Sequence, residues 1–416
     1  MEHYDIIVVG GGFGGVASAI SAARLGKNVC LVEKYNCLGG AAAYDLVLPF
    51  MYSYTMVNGK REPLACGIFL EIKSRLKEIG GVCDGWDDCF STEHLKLVLN
   101  RMAIESGVNL LFQAYVTDVT FKGGVLYDIE ISSVEGKTRL SADYFVDATG
   151  DANLSCLCGL DFTKGRKSDG KTQPMTLSFR VGGVDMAKYD VEKMNTLYKE
   201  HKSQGKISCP RENLLVFKTT MNGVLHFNTT RIIGLDPTKL SQLTNAEIEG
   251  REQMFEIFNF LKENFDAFEN AYLLESGIQI GARESRNVAC QHNLTGEEII
   301  SLARFDDAIA VCNYDIDIHS PDGEGTSHHY FKDGEYYQIP YRALVPKGAK
   351  NILVSGRCIG ADQEAQASLR IMPTCAVIGQ ACGTALAICH SHKCNTMEVP
   401  VNELRDTLRQ NGARID

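Results

Sequence analysis

The stretch His3-Tyr4-Asp5-Ile6-Ile7-Val8-Val9-Gly10-Gly11-Gly12-Phe13-Gly14-Gly15 decides the fold. Its first half is apolar and rich in β-branched residues, the pattern of a strand buried on both faces of a parallel sheet. It breaks at a G-x-G-x-x-G spacing formed by Gly10, Gly12 and Gly15. A helical pattern follows, with Val16, Ala19, Ile20 and Ala23 on one face, ending near Gly26. A second strand, Asn28 to Val32, delivers Glu33 at its C-terminal end. Gly10 permits the tight turn, Gly12 lets a pyrophosphate approach the backbone, and Gly15 lets helix and strand pack closely. The helix N-terminus favours phosphate charge, and Glu33 stands where a carboxylate accepts ribose hydroxyls. The glycine spacing alone is common; the ordered strand, turn, helix, strand and acid give it weight. This unit by itself does not distinguish NAD from FAD.

Outward from it, Cys37-Leu38-Gly39-Gly40-Ala41-Ala42-Ala43 is small enough to pass close to a ligand. A further strand, Ala142 to Asp147, stops at Ala148-Thr149-Gly150-Asp151, and another, Asn351 to Val354, stops at Ser355-Gly356-Arg357. Pro373 suits the start of a small-residue helix running from about Cys375 to Ser391. Between these parts the texture changes from about Asp161, with helical patterns over Met186 to Ser203 and Asn245 to Phe265. The expected architecture is α/β: a Rossmann-like nucleotide domain with an interleaved α+β substrate domain. The expected boundaries are 1–160 and 346–416 for the first and 161–345 for the second.

Composition narrows the function. The 416 residues suffice for two domains, and a net charge of −10 argues against nucleic acid or an anionic membrane as partner. No basic n-region precedes the first strand, and no stretch reads as long and apolar enough to span a bilayer. The 15 cysteines are scattered without a disulfide framework or a C-x-x-C, which suggests reduced thiols in a cytoplasm. Cys156 and Cys158, a C-x-C pair, read as structural thiols.

Four segments resemble the FAD-dependent oxidoreductases of the glutathione-reductase type: Asp5 to Lys34, Ala142 to Ala152, Gly281 to Arg286 and Asn351 to Thr384. Together they look most like the single-nucleotide-domain members related to fumarate-reductase and glucose-inhibited-division flavoproteins. The resemblance covers both ends and much of the middle; the segment 182–271 is the least distinctive. It implies FAD, held at the pyrophosphate by Gly10, Gly12, Gly14 and Gly15 and at the ribose by Glu33. It also implies that Lys34, Gly40 and Ala41 border the adenine and flavin sides. The backbone of Val116 would touch adenine, and Ala148, Thr149, Gly150 and Asp151 would pass the pyrophosphate. Gly356, Arg357 and Asp362 would flank the ribityl chain, and Thr374, Cys375 and Ala376 would aim helix N–H groups at the flavin. A second G-x-G-x-x-G for NAD(P)H is missing, so the electron acceptor or donor stays unidentified.

For catalysis the candidates are Arg283 and Arg286, spaced to clamp a carboxylate, His328 and His329 as proton carriers, and Tyr341 and Arg370 as orienting groups. Asp315, Asp317 and His319 share a face if extended, yet no metal is expected. The expected function is oxidation or reduction of a small polar organic substrate by hydride transfer at flavin N5. The alternatives are a flavin-dependent tRNA-modifying or electron-relay protein and a non-catalytic flavin binder. Substrate identity and oligomeric state are left open.

Overall fold

The computed structural model describes residues 2–323 and 325–416; Met1, and Glu324 in the 321–325 loop, lie outside the described residues. Strand β1 (Glu2–Val9) leads through the glycine turn into helix α1 (Phe13–Arg24) and strand β2 (Val29–Val32). Three more strands of the same sheet are β3 (Asn109–Leu111), β4 (Tyr115–Lys122) and β5 (Val125–Ser133), and a sixth is β6 (Gly136–Asp147). The parallel core runs β3-β2-β1-β6, and Ile352–Val354 adds a fifth strand beside the C-terminal half of β6. The N-terminal half of β6 instead pairs antiparallel with β5, which pairs with β4. One unbroken strand thus serves a buried parallel sheet and a solvent-facing meander, and it begins well before the Ala142 expected from the sequence.

Every parallel strand ends at the same edge. Gly10 N donates to Val32 O (2.8 Å), Ala148 N to Val9 O (2.8 Å) and Ser355 N to Asp147 O (2.9 Å). The three glycine-bearing strand ends are therefore laced together, and ligands bind such sheets at this carboxyl edge. Behind them α1 crosses the helix Met372–His392 through small residues. A Cβ on Gly379 would stand 2.1 Å from Gly14 O, and one on Gly383 2.0 Å from Ser18 O. No larger side chain fits either crossing point. Contrary to the sequence expectation, this helix is long and apolar enough to cross a membrane, but the protein buries the whole of its 18-residue apolar stretch. Its hydrophobicity is spent on the core of the nucleotide-binding body.

A four-stranded antiparallel sheet builds the second body, in the order Val216–Lys218, Leu225–Phe227, Phe179–Gly182, Tyr272–Ser276, backed by helices Val191–Ser203 and Leu240–Asn264. Its core draws on residues from Met175 to Ile280. Val288, Leu294, Ile309, Tyr337 and Ile339 pack instead with the first body. The break between cores therefore does not coincide with the expected boundaries at 161 and 345. A second difference concerns the thiols: Cys83 and Cys89 are joined by a disulfide across a two-stranded ribbon, while 13 described cysteines are free.

His226, on the sheet face opposite the second core's Phe227, is fully buried, and neither ring nitrogen has a hydrogen-bond partner among the described residues. Burial, reinforced by Arg180, depresses its pKa to about 3, and burial beside Arg283 does the same to His319. Both imidazoles are neutral in the folded protein, whereas the unfolded chain protonates them below about pH 6.5. Stability conferred by their neutral burial is complete above that pH and is lost as pH falls toward 3. Urea denaturation at pH 7 and pH 5 is expected to show a loss approaching about 1.4 kcal/mol per pH unit for each histidine. His226→Gln should flatten part of that slope.

Candidate functional site

An open cleft follows the carboxyl edge of the parallel sheet. Gly10 turns with φ +106°, and a Cβ there would lie 2.4 Å from Ala148 O. One on Gly15 would collide with Gly10 O at 1.8 Å, so Gly15 serves the helix–strand contact and does not line the cleft. Gly12 is different. Its φ of −71° and ψ of −178° suit any residue, and a Cβ would meet only Gly40 Cα, at 3.8 Å. The space beside Gly12 therefore belongs to the cleft rather than to packing. Glu33, nearly inaccessible, accepts from Gly11 N (2.5 Å) and Tyr35 N (2.9 Å), one bond on each carboxylate oxygen. Each oxygen retains a second lone pair for a hydroxyl donor. Burial pushes its pKa up against these two bonds.

Across the turn, Asp151 accepts from Arg357 (2.7 Å) and from the Ser285 hydroxyl (2.7 Å). Burial works against its charge, but Arg357 and Ser285 hold its carboxyl below the ordinary range. Arg357 keeps its Nε, and Ser355 its Oγ, buried without a partner among the described residues. Both residues line the cleft. Buried donors in that condition are completed by a ligand or by water. Glycine-shaped space, a buried acceptor carboxylate and unused donors together fit a dinucleotide of the FAD type.

Most sequence candidates for cofactor binding line this cleft: Gly10, Gly12, Gly14, Glu33, Lys34, Gly40, Ala41, Val116, Ala148, Thr149, Gly150, Asp151, Gly356, Arg357 and Cys375. Three do not. Asp362 caps the helix Gln363–Leu369, accepting from Ala365 N (2.8 Å) and from Gly296 N (3.0 Å), so its carboxylate is occupied structurally. Thr374 turns its hydroxyl to Cys312 Sγ (3.3 Å), and Ala376 is inaccessible in the core.

The catalytic candidates scatter more widely. Arg370 lines the cleft, bonding the carbonyl of Asp317 (3.1 Å) and pairing with its carboxylate (3.4 Å). Arg283 donates to Pro174 O (2.8 Å) and Thr176 Oγ1 (2.6 Å) on the second body. Arg286 does not join it. It bonds Asp151 O (2.8 Å) and Asn153 Oδ1 (3.2 Å) and lies over Phe162, bracing the strand end from outside. Tyr341 is a core residue whose hydroxyl donates to Thr396 O (2.7 Å). His328 and His329 both sit exposed on the ribbon strand Thr326–His329, and neither lines the cleft. His328 is held by Asp315 (2.5 Å), and His329 packs edge-on to Phe331. The imidazole that faces inward is His319, bonded to Thr326 Oγ1 (3.1 Å) and paired with Asp317 (3.4 Å).

Sequence reading missed Asp45. It is 3% exposed, lines the cleft and accepts from Gln279 Nε2 (2.8 Å), while Gln279 also receives the Tyr35 hydroxyl. Ile278 N donates to Tyr44 O (2.8 Å), so this corner stitches the second body to the cleft. Burial raises Asp45 to about 7, with Asp151 adding to the shift and Gln279, Arg357 and Lys34 opposing it. A carboxyl raised on folding stabilises the protein below its unfolded pKa, and that contribution is lost as pH rises through about 7. Asp45→Asn is therefore expected to be more stable than the wild type at pH 8, by about 1 kcal/mol or more. Denaturation at pH 4 should show the advantage gone.

Residues 5–408 match the family described as FAD dependent oxidoreductase. The chain belongs to that family. Its cofactor is therefore FAD. A "Soluble pyridine nucleotide transhydrogenase" of Mycobacterium bovis is 45% identical over 163 residues, covering 36% of this chain and 31% of the relative. The mitochondrial dihydrolipoyl dehydrogenase of Dictyostelium discoideum is 24% identical over 146 residues, 32% and 28% of the two chains. The chain thus spans about a third of these relatives' length. Among solved structures, a geranylgeranyl bacteriochlorophyll reductase-like protein of Thermoplasma acidophilum aligns over 100% of this chain and 85% of its own. Its TM-score is 0.49 at 12% identity. The flavin-dependent brominase Bmp2 aligns over 98% and 84%, with TM-score 0.48 and 13% identity.

Proposed function

We propose that the protein is a soluble, cytoplasmic FAD-dependent oxidoreductase of the glutathione-reductase type that acts on a small polar organic substrate. The single observation carrying this reading is the continuity of the cleft. It runs from the glycine turn past Arg357 to Arg370, Met372 and Cys375, with Gln279 of the second body at its side. In this reading Gly10, Gly12, Glu33, Asp151 and Arg357 hold the dinucleotide, and the second body covers the reacting end. When bound, FAD supplies hydride acceptance or donation at its N5. The start of the helix Met372–His392 favours negative charge near its N-terminus. Asp45, close to neutrality in its titration, is available to take or give a proton at its carboxyl.

The test is anaerobic photoreduction of the holoenzyme followed by mixing with a panel of small hydroxy, keto and unsaturated compounds. Reoxidation by one of them, saturable and much faster than that of free FAD, is the expected result. Reoxidation indistinguishable from free FAD throughout would reduce the protein to a flavin binder.

A further inference from the structure

Asp5 of β1 and Asp143 of β6 stand on one rung of the parallel sheet, since Tyr4 lies beside Ala142 and Ile6 beside Tyr144. Like charges at facing positions of paired strands repel. Among the described residues no lysine or arginine pairs with either acid; their ion-pair partners are His390 and His3. His390, in the last turn of the helix Met372–His392, sets its Nε2 3.3 Å from both Asp5 Oδ1 and Asp143 Oδ2. One N–H cannot serve two carboxylates, and charge-assisted hydrogen bonds are shorter, about 2.7–2.9 Å. The Nδ1 of His390 is buried without a partner among the described residues, so Nε2 is the nitrogen presented to a ligand.

The other oxygen of each carboxylate is already held. Asp5 Oδ2 accepts from Asn28 N (2.8 Å). Asp143 Oδ1 faces His3 Nε2 (3.4 Å), and the Nδ1 of that ring meets Ser141 Oγ (3.0 Å). Each acid is thus oriented through one oxygen and offers the second to the same point, as the outer contacts of a metal centre do. The ligand atoms of Asp5, Asp143 and His390 all lie within 4.8 Å of one another. The two 3.3 Å separations match a tetrahedral ion, because donors about 2.0–2.1 Å from zinc stand about 3.3–3.4 Å apart. The negative C-terminal end of the helix adds to the attraction for a cation.

We propose that Asp5, Asp143 and His390 bind a divalent transition-metal cation, with Zn²⁺ the ion that suits these donors and this spacing. Three protein ligands leave the fourth position to water. His3 steadies Asp143 and is not itself a ligand. The site lies about 16 Å down β1 from Gly10. His390 is about 27 Å along its helix from Met372, which lines the cleft. The ion therefore takes no part in flavin chemistry. It fastens β1, β6 and the far end of the long helix to one another.

The test uses the holoenzyme, stripped of metal with a chelator and dialysed, and Zn²⁺ alone as the probe. Calorimetry is expected to show one tight ion per chain, and saturating Zn²⁺ to raise the thermal midpoint. The flavin spectrum should not move. His390→Gln and Asp5→Asn should each weaken binding at least about a hundredfold and abolish the rise in midpoint. His3→Ala, which removes only the group behind Asp143, should weaken it about tenfold. Cys156→Ser removes the exposed free thiol and should leave binding unchanged, which separates this site from capture of Zn²⁺ by cysteine. If His390→Gln does not fold, Asp143→Asn, at a half-exposed carboxylate, carries the test. Absence of a bound ion, binding indifferent to the His390 and Asp143 variants, or binding lost in Cys156→Ser overturns the proposal.

Discussion

Gly12→Val folds normally and is isolated without its flavin: that is the expected result of placing a side chain where the cleft has room and the protein core has no claim. The backbone angles at Gly12 are ordinary extended ones, and its Cβ would meet nothing nearer than Gly40 Cα at 3.8 Å. The added methyls therefore stand in the volume assigned to the pyrophosphate. A loss of at least about 3 kcal/mol in FAD affinity, more than a hundredfold, is expected by equilibrium dialysis. The neighbouring Gly15→Val supplies the contrast. Its Cβ would strike Gly10 O at 1.8 Å, so this variant should fail to fold rather than fold empty. Full flavin occupancy in folded Gly12→Val would show that the dinucleotide lies elsewhere.

Arg357→Met is the second large effect. The side chain pairs with Asp151 at 2.7 Å, with 22% and 30% of the two side chains accessible. Removing the guanidinium leaves Asp151 with the Ser285 hydroxyl and the nearby charge of Lys34, but no ion-pair partner in contact. A fully buried pair would lose about 3–5 kcal/mol on such a truncation, and partial access reduces the expectation to about 2 kcal/mol. Thermal unfolding of Arg357→Met, and of Arg357→Met with Asp151→Asn, separates two roles. The double variant should recover most of the stability, because no unpaired carboxylate remains. It should not recover FAD affinity, because the guanidinium that lines the cleft is still gone. Recovery of both would make Arg357 a purely structural residue.

The parts legible in the sequence are those that local chemistry specifies. The glycine turn, Glu33, and the strand ends at Ala148 and Gly356 need particular backbone conformations next to each other, and spacing along the chain records this. What escaped depends on contacts between distant segments. Arg283 and Arg286 sit three apart, but the chain is not helical there. Arg286 enters a short strand beside Asp151, while Arg283 turns to Thr176. Tyr341 begins a 3-10 turn after the strand Tyr337–Pro340, which sends its ring into the core. His328 and His329 attracted notice as adjacent histidines, yet their strand forms half of an exposed ribbon. Its partner strand carries His319 inward. Asp45 has no motif around it. Its role follows from Gln279, 234 residues away in sequence. The disulfide of Cys83 and Cys89 is likewise set by ribbon pairing rather than by a spacing that reads as redox.

The central claim is that the cleft at the carboxyl edge of the parallel sheet holds FAD. Denaturing the purified wild-type protein and separating the released nucleotide by chromatography tests it most directly. One FAD per chain, with the yellow flavin spectrum lost from the protein on release, is the predicted result. A colourless protein that releases no flavin and gains no flavin absorbance after incubation with FAD would contradict it.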